Sequence, residues 1–354
     1  MGKEMKGYLV GPMPVEQFLK EFLSPSAIPD HEPLTSFSDG AFESTLSALQ
    51  ETKAYEPFVM QINTMSSFAP GLSFIDTHNH PDTTNCKLFT FQIKPDICVY
   101  ADGALPPRAR QSSCDISAAE VIIEFKWDPH HTPFYTPASG PSTTAHFISE
   151  TDKAMDTLGQ ITSYTTAQLG AQYHTHAFSI LIVYDQAHII RWDREGATVS
   201  SAINYNEEPH LADFFHRYVQ ASPALRGVDT SVTLASAEES RLARLQLGLS
   251  ATRCMLKVAV PDIDNTGSVT LVFPAPSPVG QSPIGRCTRA CPAYDIDNDR
   301  VVMFKDSWWV AIADVLPEGE TYKILKKTMF PTLHRALHVT TYPLSLNKPR
   351  RLTS

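Results

Sequence analysis

The chain has 354 residues, 42% hydrophobic and 19% charged, with a formal net charge of −9. It is too apolar to be disordered, and no stretch reaches the ~18 apolar residues of a membrane span. At ~100–200 residues per domain two domains are expected, and the start Met1-Gly2-Lys3-Glu4-Met5-Lys6 carries neither a signal-peptide core nor a myristoylation site, so an intracellular protein, cytoplasmic or nuclear, is expected.

Pro14 opens a predicted helix over 14–23, with Phe18, Leu19, Phe22 and Leu23 on one face. Pro25, Pro29 and Pro33 mark a linker over 24–33. Helical patterns at 42–49 and 55–65 give way to short β-type runs at 73–76, 88–93, 97–101 and 121–125. A helix over about 156–172 precedes an apolar strand at 178–184, its partner at 188–192 and a helix over 210–219. A helical connector at 237–247 leads to strands at 255–260, 268–273, 289–295 and 301–305. Turn signals stand at Asp264-Asn265-Thr266-Gly267 and Asp297-Asn298-Asp299, and a short helix at 316–327 ends the pattern.

The expected class is α/β (α+β). A helical arm spans 1–52, a mixed sheet with flanking helices 53–222, a helical connector 223–252, a β region with a helix 253–327, and a basic tail 328–354. Seven basic residues and no acidic one lie between Thr321 and Ser354, densest at Lys348-Pro349-Arg350-Arg351, so the remainder carries the acidic excess. An acidic body opposes non-specific nucleic-acid binding, which draws its affinity from phosphate neutralisation. The basic end reads as a solvated tail, with a nucleic-acid or import patch as the alternative. Six scattered cysteines without a C-x-x-C pair read as thiols in a reducing compartment.

Two constellations carry chemistry. In the first, Lys94-Pro95-Asp96 heads one strand and Glu124-Phe125-Lys126 ends another. A side-chain period of two puts Glu124 and Lys126 on one face. Such a set can hold a hard divalent cation on Asp96 and Glu124 while Lys126 steadies an attacking water or developing phosphate charge. Glu56, in the preceding helix, is placed to reach the same ion. Gln160 and Tyr164, spaced i and i+4, share one helical face. With its element order of helix, strands, helix, strand, this set resembles the PD-(D/E)xK nuclease superfamily, and the Gln-x-x-x-Tyr helix resembles its helicase-associated members. The resemblance implies a Mg²⁺- or Mn²⁺-dependent nuclease or pseudo-nuclease, with Lys126, Gln160 and Tyr164 catalytic and Glu56, Asp96 and Glu124 on the metal. The plain alternative is a strand-end turn, a rim ion pair and a core tyrosine.

In the second, Gly285-Arg286-Cys287-Thr288-Arg289 precedes a strand, Lys305 ends the next, and Glu320 follows in a helix. A strand lysine paired with a helix glutamate behind a glycine turn is how protein kinases anchor ATP phosphates. Ordered matches at Val10-Gly11-Pro12-Met13-Pro14-Val15, Lys94-Pro95-Asp96, Glu124-Phe125-Lys126, Gly159-Gln160-Ile161, Arg191-Trp192-Asp193, Lys305-Asp306-Ser307-Trp308 and Gly319-Glu320-Thr321-Tyr322 make residues 8–327 resemble the fungal-type protein kinases. That resemblance implies a partial kinase small lobe over 253–327, ATP-binding residues Gly285, Lys305 and Glu320, and ATP with Mg as cofactors. After Lys327 it stops.

No H-R-D-type loop and no D-F-G follow, so the base and the metal-holding carboxylate are missing. The chain therefore reads as truncated, and phosphotransfer is not expected. Pro292 within a strand calls for an edge position. A half-built lobe leaves an apolar face near Val310 to Leu325 for a protein partner. A third reading is a non-catalytic interaction module, with the sheet as scaffold and the tail as contact. Asp76-Thr77-His78-Asn79-His80 superficially matches the D-x-H-x-H of amidohydrolases, with His174 and His176 as further ligands. The β-rich 255–305 stretch does not supply the eight strand–helix units of that fold, and loop histidines are the plainer reading.

Overall fold

The structure is a computed structural model. It describes residues 1–65, 68–107, 109, 112–135, 147–261, 267–278, 282–310 and 337–344, with 309–310 and 337–344 as backbone alone. The chain forms two units, one of residues 1–228 with 277–283 and one of 229–276 with 284–354.

The larger unit runs α1 (Gly2–Met5), β1 (Leu9–Met13), α2 (Val15–Phe22), α3 (Glu43–Leu46), α4 (Tyr55–Thr64), β2 (Leu72–Asp76), β3 (Ile97–Ala101), β4 (Val121–Lys126), α5 (Asp152–Ala171), β5 (Ala177–Val183), β6 (Gln186–Trp192), β7 (Ala197–Ser200), β8 (Ile203–Asn204) and α6 (His210–Gln220). Its eight strands form one mixed sheet in the order β1-β7-β6-β5-β4-β3-β2, with β8 against β6. The pairs β1–β7 and β4–β5 are parallel and the others antiparallel. Parallel neighbours need a long crossover, and α5 is the one between β4 and β5. The Thr151 hydroxyl caps α5, accepting from Ala154 N–H at 3.3 Å.

Strand periodicity sorts the core into two faces. Ile97, Val99, Val121, Ile123, Phe125 and Phe178 cluster with Phe18 of α2, Phe58 of α4 and Phe214 and Phe215 of α6. Cys98, Tyr100 and Ile122, one residue out of phase, cluster with Tyr164, Ala167 and Ala171 of α5. The sheet is thus a middle layer, with α2, α4 and α6 on one face and α5 on the other. Glu124 and Lys126 share the phase of Ile122, which puts them on the α5 face.

Residues 1–52 are more than an arm. β1 completes the sheet beside β7, and Phe18, Leu19 and Leu23 are fully buried. Gly196 permits the approach: its φ is +151°, and a Cβ there would meet the Tyr8 carbonyl oxygen at 2.0 Å. Arg194 donates to the carbonyls of Pro283 at 3.1 Å and Leu169 at 3.3 Å, which ties 277–283 to this unit.

The stretch 88–93 is a loop rather than the expected strand, with Ile93 buried and Leu88 66% exposed. Asp82 organises it instead. Its N–H donates to the Ile93 carbonyl, and its carboxylate accepts from the N–H groups of Thr84, Asn85 and Ile116. The Ile93 carbonyl is met by one loop N–H and not by a ladder.

The smaller unit contains β9 (Val232–Leu234), α7 (Ala237–Leu247), β10 (Met255–Pro261), β11 (Ser268–Pro274), β12 (Arg289–Asp295), β13 (Arg300–Val310) and β14 (Leu337–Leu344). Its sheet order is β14-β13-β12-β11-β10-β9, antiparallel from β9 to β13 and parallel between β13 and β14. Ser236 and Glu239 form a capping box at the start of α7, and Gly248 at φ +64° ends it. Ala243 of α7 packs on Met255, Val272 and Tyr294.

Pro292 pairs with Met303 in the half of β12 that β11 leaves unpaired, since β11 reaches only Tyr294 and Asp295. That is the one-sided position a strand proline requires. Residues 337–344, expected as part of a tail, form a strand. Glu320, the helix at 316–327, the Asp264-Asn265-Thr266 turn, the Lys348-to-Arg351 cluster and the side chains of the apolar face from Val310 to Leu325 lie outside the described residues. Among the described residues, no helix is long and apolar enough to cross a membrane. The class is α+β, with a mixed sheet and flanking helices.

Candidate functional site

Because β3 and β4 are antiparallel, the start of one lies beside the end of the other. Asp96, immediately ahead of β3, accepts from Phe125 N–H of β4 at 2.9 Å. Glu124 and Lys126 flank that same peptide, and the Lys126 ammonium donates to Glu124 Oε1 at 2.5 Å and to the Phe125 carbonyl at 2.9 Å. Asp96, Glu124 and Lys126 therefore do converge. Glu124 is 1% exposed and Asp96 8%, and Glu124 Oε2 is buried with no hydrogen-bond partner. From α5, Gln160 donates to the Tyr164 hydroxyl at 3.1 Å, within electrostatic reach of Glu124.

Two buried carboxyls beside one amine distort one another's titration. Burial, and then the charge of Asp96, hold Glu124 well above the usual carboxylate range against the pull of Lys126. Burial also raises Asp96, opposed by Lys126 and the Phe125 N–H. Burial presses Lys126 downward, but Glu124 and Asp96 outweigh it and hold the ammonium above its ordinary value. Tyr164 is raised by burial and then by Glu124. The site holds its protons tightly.

Glu56, expected at the ion, is exposed on α4. It follows Tyr55 by one residue, roughly 100° around the helix, and so turns away from the face that meets Asp96. The carboxylate that does reach the site is Glu51, four residues ahead of Tyr55. Tyr55 donates to Glu51 Oε1 at 3.0 Å, and Trp127 N–H donates to Glu51 Oε2 at 3.0 Å. The charge of Glu51 bears on Asp96, Glu124 and Lys126. Tyr55 also bonds Asp96, and burial followed by Asp96 raises its phenol. No local pattern marks Glu51; a chain reversal between α4 and β4 brings it in.

The D-x-H-x-H stretch lies beside this site. Asp76, at the end of β2, accepts from His78 Nδ1–H at 2.5 Å, and the His78 ring packs on Tyr55 at 4.9 Å. His176 instead donates Nε2–H to the Leu225 carbonyl at 3.0 Å, and burial followed by the Arg191 charge pulls it down to about 3, which marks it as structural. Among the described residues, no three His, Cys, Asp or Glu side chains stand together as a ready-made metal cluster.

In the smaller unit, Gly285 adopts φ +89° ahead of β12, and Lys305 sits half-buried in β13 opposite Ala290. Glu320, its expected partner, lies outside the described residues. Comparison with models of protein families, with curated proteins and with solved structures gives no match to this chain.

Proposed function

We propose that the larger unit is a divalent-metal-dependent phosphodiester hydrolase of the PD-(D/E)xK nuclease type, with Asp96 and Glu124 as metal ligands. One observation carries the reading: Glu124, fully buried beside Asp96, keeps one carboxylate oxygen without a partner. A buried carboxyl oxygen left without a hydrogen-bond partner costs about 1–3 kcal/mol, and a bound cation would remove that cost. The run α4, β2, β3, β4, α5, β5, antiparallel until the parallel β4–β5 step, also supports it.

A bound cation supplies Lewis acidity toward a phosphoryl oxygen and lowers the pKa of coordinated water. The rest is work for the chain. Lys126 offers a full positive charge to the oxyanion that develops on phosphorus. Gln160 and Tyr164 orient donors on the α5 side, and Glu51 with Tyr55 holds the Asp96 carboxylate in place.

The test is hydrolysis of an aryl phosphodiester with Mn²⁺. Activity in the wild type that falls at least 100-fold in Lys126→Ala supports the reading. Activity indifferent to Lys126 sinks it.

A second reading concerns the smaller unit. We infer a nucleotide-anchoring fragment of the protein-kinase type, favoured by the left-handed Gly285 ahead of the β12–β13 pair that carries Lys305. A fluorescent ATP analogue should bind, Lys305→Ala should abolish binding, and no phosphotransfer should occur. If neither unit has its ligand, an interaction module is what is left.

A further inference from the structure

Beyond the two carboxyls assigned to the metal, the site has one amine and two phenols, none suited to release a proton near neutrality. Lys126 is held above its ordinary value because its carboxylate neighbours outweigh burial. Tyr164 and Tyr55 are both raised, chiefly by burial. Phosphodiester hydrolysis expels an alkoxide, a poor leaving group unless it is protonated as the bond breaks.

An imidazole stands one aromatic ring away. Asp76 Oδ1 accepts from both the backbone N–H of His78 at 3.1 Å and its ring Nδ1–H at 2.5 Å. These two bonds fix the ring and commit Nδ1 as the donor to the carboxylate, so Nε2 is the nitrogen free to exchange a proton. Nε2 accepts from the Asn79 side-chain amide at 2.7 Å, and Asn79 is an exposed residue that can turn its oxygen to a protonated ring. The ring leans on Tyr55 at 4.9 Å, and the Tyr55 hydroxyl bonds Glu51 and Asp96. His78 is 22% exposed in its side chain and Asp76 33%, so water can return the proton after each turnover. Buried His188 and half-buried His176 lack this arrangement, being tied to backbone carbonyls.

We propose that His78, oriented by Asp76, is the general acid of the larger unit, an assignment that rests on the phosphodiester reading above. Water attacks phosphorus, the bond from phosphorus to the leaving oxygen breaks, and that oxygen takes the Nε2 proton of the imidazolium. The products are a phosphomonoester and an alcohol, and the proton shed by the attacking water restores the imidazolium through solvent. No electron changes hands.

Leaving-group dependence tests the role. A nitrophenolate departs without help, whereas an alkoxide does not. His78→Ala should lose 10²- to 10⁴-fold on a dialkyl phosphodiester such as a dinucleotide, the span of general acid catalysis, and under tenfold on a nitrophenyl phosphodiester. Added imidazole should restore part of the dialkyl rate in His78→Gly, and Asp76→Asn should show the same selectivity in milder form. Equal losses on both substrates, or no loss on either, would overturn the assignment while leaving the phosphodiester reading intact. A wild-type protein that cleaves neither substrate with Mn²⁺ removes that reading and this inference together.

Discussion

Replacing Lys126 with methionine separates electrostatics from packing at the site. The aliphatic stem is kept and only the ammonium is lost, so Glu124, 1% exposed, is left with neither oxygen paired and with Asp96 beside it. Removing one partner of a buried ion pair costs about 3–5 kcal/mol. For a unit of this size each kcal/mol moves the melting temperature by ~2–4 °C, so a fall of about 6–20 °C is expected.

The loss should shrink on acidification. Without the ammonium, Glu124 is raised further, and protonation removes the buried charge at a pH where the wild type gains less. The double variant Glu124→Gln/Lys126→Met discards both charges and should recover most of the loss, since exchanging a buried pair for neutral groups is often close to neutral. Scanning calorimetry at pH 8 and pH 5 measures all of this. A loss under ~1 kcal/mol in Lys126→Met, or a double variant as poor as the sum of the singles, would refute the description of the site as a dry, coupled pair.

Other expectations follow from the same structure. Ser236→Ala removes the capping-box hydroxyl that accepts from Glu239 N–H at 3.2 Å and should cost the smaller unit about 0.5–2 kcal/mol in urea unfolding, with no change in the larger. His188, held by burial at about 4 against an ordinary 6.5, is neutral in the fold. The unfolded chain takes its proton first as pH falls from 6.5, so stability drops until about pH 4 by on the order of 3 kcal/mol, and His188→Leu should be spared that drop. Identical acid profiles for the two proteins would contradict the burial argument.

Much of the larger unit was legible because its elements announce themselves locally. The 121–126 strand is apolar but for Glu124 and Lys126 and the 177–183 strand but for Ser179, as strands covered on both faces tend to be, and the i, i+4 spacing of Gln160 and Tyr164 puts them in contact. Asp96, Glu124 and Lys126 were readable because period two and an antiparallel turn are enough to bring a strand start to a strand end.

What escaped was set by distant partners. β1 carries Gly11 and Pro12 and shows no alternation; it is a strand because β7, nearly 190 positions later, offers it an edge. Glu51 sits in a short turn without a motif, whereas Glu56 lies within the helix, where helical phase turns it to solvent. The 88–93 stretch alternates like a strand, but its Ile93 carbonyl bonds the Asp82 N–H of the preceding loop, which no period reveals.

If Asp96 and Glu124 together hold a divalent cation, Mn²⁺ binding followed by electron paramagnetic resonance will register it. Free Mn²⁺ signal should be lost on adding the protein, and Glu124→Ala and Asp96→Asn should each restore it while Lys126→Ala should not. Undiminished free signal with the wild type, or equal binding by Glu124→Ala, would contradict it.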